Sequence, residues 1–178
     1  MMIKPLFFVF VLTGLLLVNE SSAFGQTPSE EVFRSYADFQ VGGTWKATVG
    51  AHKLEHSYRW AVGRKFAQLD AKGGVLPLVA MFGVDPASGK CTWWFYYNDG
   101  SMGKGVMTQE RDGVYILEGK SNGMNGENSF KVRMSRVDDN TMKEEIISFI
   151  VNGVKQPNTS FTWNRQKEQS PNTIRKPN

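Results

Sequence analysis

The chain has 178 residues, 40% of them hydrophobic and 12% aromatic, with a formal net charge of +4. These values suit one globular domain with a sizeable core and exclude a disordered or fibrous chain. A single cysteine, Cys91, excludes an internal disulfide and a cysteine-built zinc site, and two histidines, His52 and His56, argue against a histidine-rich metal centre. No Lys/Arg run exceeds two residues, so the charge reads as a soluble surface and no nucleic-acid partner, cofactor or metal is expected.

Residues 1–23 read as a cleavable signal peptide. Lys4 supplies a positive start, Leu6 to Val18 an apolar run, and Ser21-Ser22-Ala23 the small residues a signal peptidase reads. The run is about 13 residues, short of the ~20 that a spanning helix needs. The mature chain is therefore expected outside the cytoplasm, secreted or periplasmic, with no membrane span after cleavage.

Residues 24–42 form an N-terminal segment with a short helix. Thr27 can cap it, Pro28 suits its first turn, and Val32, Tyr36 and Phe39 recur at helical spacing. From Gly43 the period changes to two. Ten strands follow: Thr44 to Val49, Leu54 to Val62, Lys65 to Ala71, Leu78 to Val84, Cys91 to Tyr97, Gly103 to Glu110, Val114 to Glu118, Ser129 to Val137, Thr141 to Val151 and Ser160 to Arg165. Turn residues separate them, including Asp85-Pro86, Asn98-Asp99-Gly100 and a loop from Ser121 to Glu127. Each connection is too short for a parallel crossover. The expectation is an all-β, antiparallel up-and-down barrel of about 8–10 strands over 43–165, with a disordered tail at 166–178.

Alternation assigns the faces. Leu54, His56, Tyr58 and Trp60 share the side expected to point inward, as do Phe130, Val132 and Met134, and Phe161 and Trp163. One strand is aromatic on both sides, with Trp93, Phe95 and Tyr97 opposite Trp94 and Tyr96. If Trp94 and Tyr96 face out, either the N-terminal helix covers them, a second copy of the chain does, or they stay half-exposed.

Gly43-Thr44-Trp45, a Gly-x-Trp after a short helix, resembles the opening motif of lipocalin-like (calycin-type) barrels. Glu55-His56-Ser57-Tyr58-Arg59-Trp60, Gly63-Arg64-Lys65-Phe66, Gly83-Val84-Asp85-Pro86 and Trp93-Trp94-Phe95 look like an uncharacterised group of secreted bacterial proteins with that barrel. The resemblance covers roughly Phe39 to Arg165. It implies a barrel floor in which Trp45 packs against Arg165, and it carries no activity. The loop motif of true lipocalins is absent and their disulfide cannot form here, so the wider lipocalin-like group is the better match.

Candidate chemistry is sparse. His56 is either a core histidine satisfied by a neighbour or a group that orients the polar end of a ligand. Met142, Glu144, Ile146 and Ser148 share a face; if it is internal, Glu144 needs a partner such as a lysine or arginine. Cys91 reads as a small buried thiol. No nucleophile elbow, metal-protease motif or phosphate loop is present, and no catalytic residue is assigned. The leading expectation is a barrel binding a small apolar ligand against Tyr58, Trp60, Trp93, Phe95 and Trp163, with His56 as a polar contact. A filled interaction module that dimerises through Trp94 and Tyr96, and an enzyme built on His56, are the alternatives.

Overall fold

The computed structural model describes residues 28–74, 77–123 and 126–166. The expected signal peptide, the Thr27 cap and the tail beyond Gln166 lie outside the described residues. Helix α1 (Pro28–Gln40) precedes β1 (Thr44–Val49), β2 (His52–Ala61), β3 (Phe66–Gly73), β4 (Leu78–Val84), β5 (Cys91–Tyr97), β6 (Met102–Arg111), β7 (Val114–Gly123), β8 (Gly126–Asp138), β9 (Thr141–Val151), β10 (Val154–Lys155) and β11 (Thr159–Gln166). Neighbouring strands pair antiparallel from β1 round to β9; β11 returns between β9 and β1 and closes a ten-stranded barrel.

The final wall is built in two pieces. β10 and β11 lie along the same flank of β9, with Lys155 opposite Ile150 and Thr159 opposite Ile146. Pro157 stands between them, and its lack of an N–H interrupts the ladder. The outer wall carries ion pairs such as Lys46–Glu55 at 3.6 Å and Arg59–Asp70 at 3.4 Å. Such rows suit water, not the apolar band of a lipid-facing barrel. Among the described residues no helix is long and apolar enough to cross a membrane.

The helix closes one end of the barrel. Phe33, Tyr36, Ala37 and Gln40 fall on one helical face and all are buried. Tyr36 drops among inward-facing rings: Phe82 at 5.2 Å, Tyr115 at 5.3 Å and Tyr58 at 6.3 Å between centroids. Its hydroxyl pairs with that of Tyr58 at 3.1 Å, while Gln40 Nε2 donates to the Met142 sulfur at 2.9 Å. Burying each such aromatic ring stabilises the fold by roughly 1.5–3 kcal/mol. The helix therefore does not cover Trp94 and Tyr96. Its apolar face is spent on the interior, and Tyr96 on the outer wall remains 47% exposed.

Beside the helix, the first and last strands are latched together. The Arg165 guanidinium lies 4.3 Å from the Trp45 ring centroid and donates to the Phe39 carbonyl at the end of α1. Such a cation–π contact contributes ~0.5–2 kcal/mol. The glycine of Gly-x-Trp has a physical reason here. A Cβ on Gly43 would stand 2.8 Å from Arg165 Nη1, so any side chain would displace the arginine.

Three local expectations are corrected. The stretch from Ser121 to Glu127 is not a long loop: β7 and β8 continue pairing until Gly123 meets Gly126. In β9 the ladder slips between Lys131 and Val132 of its partner, leaving Ile147 unpaired as a bulge. Ser148 consequently pairs with Lys131 on the outer side, away from Glu144, whereas Phe149 pairs with the inward Phe130. The third correction is the helix position described above.

Candidate ligand site

The interior divides along the barrel axis. At the helix end Trp45, Phe82 and Met142 are buried to within 2%, and further along the axis Phe95 and Trp163 are buried as deeply. Towards the opposite end the inward rows continue through Leu54, Leu78, Phe130, Val132, Phe149 and Phe161, all of which keep some accessible surface. Phe130 and Phe149 line a cavity of about 90 Å³ inside this end of the barrel, while Leu54 and Phe161 border a groove in its wall.

Aromatic packing fills one side of this space. Phe95 and Trp93 lie with centroids 4.5 Å apart, and both contact Phe130, at 5.6 and 5.4 Å. They lie directly on the backbone of β6 and β7. A Cβ on Gly103 would come within 2.4 Å of Phe95 Cζ, and one on Gly119 within 2.6 Å of Phe130 Cζ. Inward glycines thus let the rings press against that wall.

The facing wall is polar. Trp163 stacks on His56, with ring centroids 4.0 Å apart and planes at 30°, and its indole N–H donates to Glu144 Oε2 at 2.8 Å. Among the described residues no lysine or arginine meets Glu144; an indole stands where a cationic partner is expected. Burial drives the carboxyl pKa up to about 7, opposed only by the Trp163 hydrogen bond. Burial alone holds the His56 imidazole down to about 3, so the ring is neutral near pH 7. His56 Nδ1 is buried without a hydrogen-bond partner, so this histidine is not satisfied by its neighbours. Glu144 and His56 are enclosed by protein on nearly all sides, yet both retain some accessible surface. Both therefore border the internal space.

Of the wall residues expected from the sequence, the structure gathers His56, Tyr58 and Trp163 on one side and Trp93 with Phe95 on the other. Tyr58 and Trp93 are joined through Phe82, at 6.3 and 5.6 Å. Trp60 stands apart, under the helix, edge-on to Phe33 and beneath the guanidinium of Arg64 at 4.8 Å. Cys91 is buried near the helix, and burial pushes its thiol up to about 12, which leaves it unreactive near neutral pH. Phe149 was missed in the sequence because the bulge that turns it inward has no local signature. Phe130 and Phe161 were legible from their alternation.

The wall has a seam. β1 and β11 are paired only at Thr44–Gln166, Trp45–Arg165 and Lys46–Asn164, next to the helix. Beyond this point they part around a groove of about 540 Å³. Its lining mixes inward Ala47, Leu54 and Phe161 with outward Lys46 and Lys53, so the groove lies where the inner and outer rows of the wall meet.

Among the described residues no group of three or more His, Cys, Asp or Glu side chains is arranged to hold a metal ion. In comparisons with known proteins, no family model matches this chain and no curated protein is similar to it.

Proposed function

We propose that the protein is a lipocalin-like barrel, exported to the periplasm or beyond by its N-terminal signal, that holds a small and mainly apolar ligand. The observation that carries this reading is the contrast within one continuous interior. The helix end is packed dry, whereas Leu54, Phe130, Val132, Phe149 and Phe161 keep apolar surface accessible. Phe130 and Phe149 do so around a cavity of about 90 Å³, and Leu54 and Phe161 along the groove between β1 and β11. A core meant only for stability would close over such surface, because unfilled volume forfeits dispersion contacts. The seam between β1 and β11 offers the ligand a route inside.

Native mass spectrometry of the protein purified from its own compartment tests this. A small-molecule adduct that is lost on denaturation supports the reading. A bare chain that also fails to take up a neutral apolar fluorophore overturns it.

A second reading draws on the outer wall, where Tyr96, Met102 and Val79 are exposed by 47%, 54% and 39% around half-buried Trp94. In that reading two copies pair through Trp94 and Tyr96. A monomeric mass at every concentration removes it.

A further inference from the structure

One cluster on the polar wall sets the ligand chemistry the interior selects. Glu144 Oε2 accepts the Trp163 indole, while Oε1 forms no hydrogen bond among the described residues. His56 likewise forms none, and its Nδ1 is sealed from water. A carboxylate in an apolar enclosure is costly unless a charge of opposite sign meets it. Among the described residues Glu144 stands opposite Met134 and Phe161 in the ladders and near Trp163, Tyr58 and Tyr36, none of which carries a positive charge.

The cluster has a definite chemical character. Glu144 offers an acceptor. His56, neutral, offers a second acceptor at one ring nitrogen if the other carries the proton. The Trp163 ring adds a π face. A group matching all of these is positively charged, has several hydrogens to donate and is small. An anion would meet the Glu144 charge with no cation to offset it. A neutral hydroxyl could donate to only one acceptor. A divalent metal would find two donors where it needs more.

We propose that the interior selects a small organic amine, bound as the ammonium ion, whose charged end lies against Glu144 and His56 and whose apolar body lies along Phe161, Phe130 and Phe149. This inference rests on the ligand-binding reading and narrows it. Glu144 is the charge partner; His56 is held in place for the ligand by its stack on Trp163.

Three probes of nearly equal shape separate the two: 2-phenylethylamine, 2-phenylethanol and 3-phenylpropionate, titrated into the mature protein by calorimetry and by quenching of tryptophan fluorescence. The amine should bind at least tenfold more tightly than the alcohol or the acid. In Glu144→Gln the amine should lose its tenfold advantage over the alcohol, with a circular-dichroism spectrum like the parent's reporting that the variant is folded. An amine preference that survives in the folded variant overturns the Glu144 contact. Should the alcohol or the acid bind as tightly as the amine, amine selection is overturned and an apolar ligand site survives. Should none of the three bind at millimolar concentration, both readings fall together.

Discussion

The two halves of the barrel interior use the same alternating strands to opposite ends. Beside the helix, small and large side chains interlock: Ala67 and Ala80 face Tyr58, Phe82 and the inserted Tyr36, and hardly any surface remains. Further along, the same inward rows carry Phe130, Phe149, Phe161 and the Glu144–Trp163–His56 group, and packing stops short of completion. The strands are continuous, so the difference does not come from the sheet. It comes from what enters from outside it, a helix at one end and nothing from the described chain at the other. A barrel of this size can be core or container. This one divides the two roles along its axis.

The sharpest break in that contrast is a large-to-small exchange in each half. Trp45→Ala should lower unfolding free energy by about 3–5 kcal/mol, because the dry end cannot collapse onto the void. Phe149→Ala should cost less than half as much, since its ring already borders open space. Equal losses in urea denaturation would erase the distinction between the halves.

The polar wall should make stability depend on pH in a compensated way. The raised Glu144 carboxyl contributes stability that is complete below the unfolded pKa of 4.5 and is lost up to about pH 7. His56 works oppositely: its folded pKa of about 3 lies below 6.5, so stability is lost as pH falls from 6.5 towards 3. Between pH 4.5 and 6.5 the two slopes, each about 1.4 kcal/mol per pH unit, cancel. His56→Gln should therefore expose a decline from pH 4.5 to 7, and Glu144→Gln a rise from pH 3 to 6.5. Denaturation midpoints across this range check both. A flat profile in either variant would place the remaining side chain of the pair in water instead of inside.

Smaller effects probe the packed end. Tyr36→Phe removes one hydroxyl from the Tyr36–Tyr58 pair and should cost about 1 kcal/mol, leaving a buried phenol unpaired. Val62 sits at φ 48° in the turn between β2 and β3, a left-handed conformation that a β-branched side chain resists. Val62→Asn should gain about 0.5–1 kcal/mol by relieving that strain. A loss on thermal melting would show that Val62 is held there by packing, although it is largely exposed.

How legible this was depended on whether the cause was local. Period-two alternation from Leu54 to Trp60 and from Phe130 to Met134 marks the inward faces, because a pleated strand leaves no choice once one side is buried. Turn pairs such as Asn152-Gly153 mark the strand ends, and the all-β barrel follows from connections too short to cross over. The rest came from non-local events. Nothing in Glu144 and its neighbours shows that Ile147 bulges or that Trp163 will face the carboxylate from β11. Helix α1 carries a clear apolar stripe, but its sequence does not say whether the stripe covers the outer wall or seals the end. The inward glycines at 103, 105 and 119 read as turn-formers or weak strand positions until the rings lying on them are seen.

The narrow ladder between β1 and β11 has a consequence for how the molecule reaches its native state. Among the described strands, the one that completes the wall is made last and its partner first. Until Arg165 reaches Trp45, β1 waits with an unpaired edge through the synthesis of nearly the whole domain. Closing so long a loop is entropically slow, and only three residue pairs and one guanidinium reward it at the end. Chains truncated before Thr159 should thus accumulate as aggregating open sheets.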